Sequence, residues 1–208
     1  MKRTRALIAF LAILSFSFTV HPPGQQVTRT AWHPDAKGDD SLLTDVNKAQ
    51  HMLNEIMDVV GLAPNFELKE AKVDNIQASI SHRKRYILFN PDFINKISLA
   101  TGNQWAAKTL LAHEVGHHLN GHTIKRKGST PKVELEADEF AGFVLFRLGA
   151  SLNQAQEVME YIATSKKSST HPAKASRLAA IKIGWQKAAE ANAALRNSSS
   201  PVAAAKGS

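Results

Sequence analysis

Two histidines and a glutamate stand in the pattern His113-Glu114-Val115-Gly116-His117. On a helix, residues four positions apart lie on the same face about one turn apart, so both imidazoles can bind one metal ion. Histidines at this spacing are typical zinc ligands, and the glutamate between them is placed to act as a general base. The pattern therefore predicts one zinc ion held by His113 and His117, with Glu114 as a catalytic residue.

A catalytic zinc takes three protein ligands and keeps one position for water, so a third ligand is required. Further along the chain, Glu134-Leu135-Glu136-Ala137-Asp138 offers carboxylates at helical spacing. Glu134 and Asp138 share a helix face, so the first can bind zinc while the second accepts a hydrogen bond from a ligand imidazole. The small side chain of Ala137 would let this helix approach the helix of the two histidines.

Together these motifs resemble those of the gluzincin metallopeptidases of the CAAX prenyl protease and HtpX-like family, whose pattern is HExxH followed by ExxAD. The resemblance implies a zincin-like fold, endopeptidase activity, and Glu134 rather than Glu136 as the third ligand. Helical phase agrees, because Glu136 is turned roughly 200° from Glu134. The similarity extends over about residues 44 to 184, with the two metal motifs as its specific part.

Near the end of the domain, His171-Pro172 and Arg177 are similar to a His-Pro and an Arg that family members often carry. The resemblance implies that His171 and Arg177 are catalytic residues that stabilise the oxyanion of a tetrahedral intermediate. Two alternatives stay open. His171 could cap the last helix while Arg177 pairs with a surface carboxylate, or His171 could occupy the fourth zinc position in a latent enzyme.

Three further features bear on the site. Residues 75–78 are similar to the family segment that precedes the strand at the rim of the cleft, where an edge strand can bind an extended peptide. His118 and His122 are turned roughly 100° and 180° away from the ligand face, so we predict that they are structural or exposed. A lid formed by residues 125–132 is an open question.

Hydrophobic periodicity and turn residues predict an α+β fold, with a small three-stranded sheet packed on a mainly helical body that carries the HExxH helix. We predict helices over 44–60, 93–100, 103–123, 131–149, 151–163 and 172–195, and strands over 66–73, 76–82 and 86–89. A chain of 208 residues suits one well-packed domain, which we place at 44–195.

The N-terminus has the order of a secretory signal, since Lys2, Arg3 and Arg5 precede an apolar run from residue 6 to 20. We expect residues 1–20 to be a signal peptide, or an uncleaved N-terminal anchor that tethers the protein to a membrane. Residues 21–43 read as a linker and 196–208 as a disordered tail. The protein is therefore expected to be exported, periplasmic or extracellular.

Charge and composition limit the kinds of partner that the protein is expected to bind. The net charge is +8, and three of the 26 lysines and arginines belong to the predicted N-terminal signal. The other basic residues are scattered apart from short clusters at 83–85 and 125–127, without a recognition motif, so no nucleic-acid partner is expected. The chain has no cysteine, which excludes disulfides and thiolate metal sites.

These observations favour a zinc endopeptidase that cleaves unfolded or misassembled proteins in a bacterial envelope. Processing of prenylated proteins is not expected, because the body of the chain has no apolar run long enough to span a bilayer. Two other functions share the same motifs: a catalytically silent, zinc-containing holdase or assembly factor, and a membrane-surface protein tethered by residues 6–20. The oligomeric state is not indicated.

Overall fold

The computed structural model describes residues 46–124 and 129–199, and in that part of the chain it has an α+β fold. It consists of six helices and a small three-stranded sheet, which confirms the coarse prediction. The elements in chain order are α1 (Val46–Val60), β1 (Glu67–Glu70), β2 (Ile76–Ser81), β3 (Lys84–Phe89), α2 (Pro91–Thr101), α3 (Ala106–Leu119), α4 (Pro131–Leu148), α5 (Leu152–Ile162) and α6 (Lys174–Ser199).

Within the two described ranges, no helix is both long enough and apolar enough to span a bilayer. The predicted signal or anchor at 1–20, the predicted linker at 21–43 and the basic cluster at 125–127 lie outside the described residues. At the other end, α6 continues to Ser199, so residues 196–199 of the predicted disordered tail are helical. The rest of that tail also lies outside the described residues.

Strand β3 lies in the middle of the sheet, parallel to β1 and antiparallel to β2. A two-residue turn joins β2 to β3 at His82 and Arg83, which have φ angles of 49° and 66°. Left-handed conformation at both positions is that of a type I′ turn, whose twist matches that of the paired strands. Because this turn is so tight, β3 begins at Lys84, two residues before its predicted start. β2 is an edge strand in the described sheet.

Helix α3 is the centre of the molecule and packs against α1, α2, α4 and β2. Nearly all of its residues are buried, including the polar side chains of the HExxH motif. Buried polar groups are stable only when partners satisfy them. The polar side chains of the HExxH motif therefore need hydrogen-bond or charge partners on the elements that pack against α3.

Glycines allow α4 to approach both α3 and α6 closely. A Cβ atom at Gly116 of α3 would lie 3.2 Å from the Cα atom of Ala137. A Cβ atom at Gly142 would overlap the carbonyl group of Ile181, and one at Gly184 would overlap that of Glu139. These close approaches bring the middle of α4 within side-chain reach of both neighbouring helices.

Helix α3 ends earlier than predicted, at Leu119 instead of residue 123. Gly121 adopts a left-handed conformation with φ 72°, and the amide of His122 donates to the carbonyl of His117 at 3.0 Å. This is a Schellman motif, in which a glycine terminates the helix. His122 is consequently off the helix, and the helical phase used to predict its direction does not apply.

Candidate metal centre

The side chains of His113, His117 and Glu134 converge from helices α3 and α4. The Nε2 atoms of the two histidines are 3.1 Å apart. One carboxylate oxygen of Glu134 lies 3.4 Å from Nε2 of His113, and the other lies 3.5 Å from Nε2 of His117. Ligands that bind one tetrahedral ion at about 2.0–2.1 Å are roughly 3.3 Å from each other. The predicted ligands thus come together in a group that could hold a metal ion.

The surroundings of this group also fit a cation. The Oε2 atom of Glu134 is buried and has no hydrogen-bond partner among the described residues. The carboxylates of Glu114 and Asp138 are buried as well, so the cluster holds three buried carboxylates and one guanidinium, that of Arg177. Uncompensated charge is costly in a protein interior, so a divalent cation would stabilise this cluster.

The His113 imidazole is held by a buried ion pair. Its Nδ1 atom lies 2.9 Å from Oδ1 of Asp138, the position predicted for this carboxylate. Asp138 accepts hydrogen bonds from Nε and Nη2 of Arg177, both at 2.7 Å. Arg177 also lies 3.6 Å from Oε2 of Glu134. The carboxylate that pairs with Arg177 is therefore buried, and not the surface carboxylate of the sequence-based alternative. The role of Arg177 towards an oxyanion stays a prediction.

The charges of these groups shift their pKa values strongly. Burial acts to lower the pKa of His113, but the carboxylates of Asp138 and Glu134 beside its ring outweigh burial and raise that pKa to about 10. Burial acts to raise the pKa of Glu134, but the adjacent His113 ring holds that pKa far below its usual range. The carboxylates therefore favour positive charge where the ligand nitrogens meet. A metal ion provides such a charge in place of the proton.

Glu114 lies between the two histidines on α3 and is 2% exposed. Its Oε2 atom accepts a hydrogen bond of 2.6 Å from the backbone amide of Ala78, in the edge strand β2. Burial raises the pKa of Glu114 to about 7. A carboxyl group with such a pKa can take up and release a proton near neutral pH. The contact also places the segment 75–78 beside the metal centre, where the resemblance had suggested a cleft rim.

His171 does not belong to the group of three ligands. It is half-buried, and its pKa is lowered by burial, with smaller effects from the charges of Glu134 and Arg177, so it lies within electrostatic range of the cluster. Ser129 connects the two regions, since its hydroxyl donates to Oε1 of Glu134 at 2.5 Å and lies 3.2 Å from the carbonyl of Thr170. A catalytic or latent role of His171 stays a prediction.

Two contributors to the centre were missed by the sequence analysis. The Nδ1 atom of His117 lies 3.0 Å from Nδ1 of His122, and Nε2 of His122 lies 2.8 Å from Oε2 of Glu136. His122 was expected to face away because the helix was predicted to continue past it. The glycine directly before it, Gly121, is the sequence signal that could have indicated a helix end.

His118 is a structural residue that points away from the ligands. Its ring stacks on Phe66 with 4.9 Å between centroids, and its Nε2 atom lies 2.9 Å from the carbonyl oxygen of Tyr86. Burial lowers its pKa to about 4, so the ring is neutral near neutral pH. His118 thus joins α3 to strand β3.

No family model matches this chain, and neither a curated protein nor a solved structure does. The likeness to gluzincin peptidases therefore rests on the residues of the two motifs. What the fold and site define together is an α+β protein with a buried His-His-Glu group that could hold a metal ion.

Proposed function

We propose that this protein is a zinc-dependent endopeptidase with a zincin-like fold. The observation that carries the proposal is the buried triangle of His113, His117 and Glu134, with Glu114 on the helix of the two histidines. Two imidazoles and one carboxylate are a donor set typical of catalytic zinc. Three protein ligands leave one position of a tetrahedral ion for water, which distinguishes catalytic from structural zinc sites.

The residues around the centre have separate tasks in this reaction. Bound zinc supplies Lewis acidity, which acidifies water and polarises a carbonyl group. Glu114 takes a proton from the attacking water and hands it to the leaving amine. The amide of Ala78 orients the Glu114 carboxylate, while Asp138 holds the ring of His113 with Nε2 towards Glu134.

The position of β2 at the edge of the sheet favours an extended polypeptide as the substrate. β2 pairs with β3 on one side only, and its Ala78 amide points at the general base. A peptide that adds to such an edge is held by backbone hydrogen bonds, which tolerate many sequences. Unfolded or misassembled proteins expose segments of this kind. Their cleavage in the bacterial envelope depends on export by residues 1–20, which stays a prediction.

Glu114→Gln tests the proposal directly. The amide oxygen of Gln can still accept the Ala78 hydrogen bond, so we expect wild-type zinc content together with a loss of casein cleavage of about 100-fold or more. Zinc content is measured by elemental analysis and cleavage by release of labelled peptides. His51→Ala, an exposed histidine on α1, is the control and should cleave at the wild-type rate.

The proposal fails if Glu114→Gln cleaves casein as fast as the wild type, or if chelation of the wild type leaves cleavage intact. A wild-type protein that binds zinc but cleaves no unfolded substrate would instead favour the zinc-containing holdase or assembly factor.

A further inference from the structure

The metal ligand His117 is held on its far side by a second histidine. Its Nδ1 atom lies 3.0 Å from Nδ1 of His122, whose side chain is 5% exposed. The other nitrogen of His122 lies 2.8 Å from Oε2 of Glu136. Both ring nitrogens of His122 are therefore engaged, one by a metal ligand and the other by a carboxylate.

The hydrogen-bond network assigns the protons of both rings. A histidine that binds a metal through Nε2 carries its proton on Nδ1, so His117 donates from Nδ1. His122 must then accept at its own Nδ1 and carry its proton on Nε2. Glu136, which as a carboxylate can only accept, receives that proton's hydrogen bond. The carboxylate thus determines the tautomers of both imidazoles.

The backbone places His122 beside His117 through the Schellman motif. In this motif the second residue after the helix cap packs against a side chain of the last helical turn. His122 and His117 occupy these two positions, since the amide of Gly121 donates to the carbonyl of His118 at 3.1 Å and that of His122 to His117 at 3.0 Å. The C-terminal turn of α3 therefore brings His122 next to His117, and α4 supplies Glu136 as the second partner of His122.

We propose that His122, oriented by Glu136, is a positioning residue for His117. It holds the His117 ring in the Nδ1–H tautomer and turns Nε2 towards His113 and Glu134. Because the inference rests on the metal site of the proposed function, and not on peptide cleavage, the two can be tested separately.

The first test compares zinc affinity by chelator competition in full-length protein. We expect His122→Ala to bind Zn²⁺ about 10- to 100-fold more weakly, the usual effect of removing a partner of a ligand histidine. His122→Asn should recover part of the loss, because its amide oxygen can accept the hydrogen bond from His117. Glu136→Ala should also weaken binding, and because the Glu136 side chain is 43% exposed, its removal should cost little stability. His51→Ala, with a 77% exposed side chain, should match the wild type.

The second test is spectroscopic and independent of activity. In the zinc-loaded wild type, ¹⁵N-detected imidazole spectra should show a protected Nδ1 proton on His117, and this signal should disappear in His122→Ala. Wild-type zinc affinity in both His122→Ala and Glu136→Ala overturns the inference, as does a protected proton that survives in His122→Ala.

The outcomes separate this inference from the proposed function. If the wild type binds zinc, His122→Ala binds it ten times more weakly, and no casein is cut, the inference holds and the peptidase proposal fails. If casein is cut and both His122→Ala and Glu136→Ala keep full zinc affinity, the peptidase proposal holds and the inference fails. A wild type that does not bind zinc overturns both.

Discussion

The two histidines of the candidate metal group are supported in opposite ways. Behind His113 lies the pair Asp138–Arg177, whose side chains are only 1% and 3% exposed. Behind His117 lie His122 and Glu136, with side chains that are 5% and 43% exposed. The first arrangement ends in the protein interior and the second at the surface.

This difference separates two kinds of contribution to a metal centre. Removal of one partner from a buried ion pair leaves a charge without compensation in a medium of low dielectric constant, which endangers the fold. A carboxylate at the surface is solvated whether or not it has a partner, so its loss acts mainly on the group it orients. We therefore expect changes on the His113 side to lower both stability and metal affinity, and changes on the His117 side to lower metal affinity with little loss of stability.

The largest expected effect is that of Arg177→Ala. It leaves Asp138 buried without its bidentate partner, so we expect the free energy of unfolding to fall by about 3–5 kcal/mol. Denaturant titration of the metal-free protein measures this loss. Lys187→Ala is the control on the same helix, because its ion pair with Glu139 is exposed and should contribute about 1 kcal/mol or less. Equal losses in the two variants would contradict the comparison.

A pair of carboxylate-to-amide changes compares the two sides directly. Asp138→Asn removes the charge next to His113, so we expect zinc affinity to fall about 10- to 100-fold. Glu136→Gln should have a smaller effect, because an imidazole separates it from the ligand and its side chain is partly solvated. Chelator competition measures both affinities, after circular dichroism has shown that each variant is folded. A larger loss of zinc affinity in Glu136→Gln than in Asp138→Asn would contradict this order.

The smallest expected effect concerns the turn that places His122. Gly121→Ala forces a Cβ atom into a left-handed conformation, which should lower the free energy of unfolding by about 1–2 kcal/mol. Gly61→Ala imposes the same strain, with φ 73° and open space around it, at the end of α1. Thermal unfolding should show similar losses in both variants, whereas only Gly121→Ala should weaken zinc binding. Equal zinc affinity in the two variants would show that the turn at Gly121 does not influence metal binding.

The part of the site predicted from sequence is the part that local geometry determines. His113 and His117 share a face because four residues make about one helical turn. Helix α4 was predicted with nearly its observed bounds, since Pro131 begins it and Gly149, with φ 100°, ends it. The positions of Glu134 and Asp138 on that helix followed from the same spacing.

The contacts that were missed join elements distant in sequence. Arg177 reaches Asp138 across 39 positions, and the Ala78 amide reaches Glu114 across 36. Neither contact has a periodicity that a sequence pattern could reveal. Because α3 ends at Leu119, His122 also points in a direction that it could not take on a helix continuing to residue 123.

Spacing and capping act over a few residues, so the sequence was enough to predict the candidate ligand residues, their order on two helices and the α+β class. The folded structure was needed to show that the two helices lie close enough to form one candidate metal group. It also shows that a buried ion pair supports His113, whereas His117 is supported by residues that lead to the surface. Those outcomes depend on how helices pack through small residues such as Gly116 and Gly142, and packing is a property of the whole folded chain.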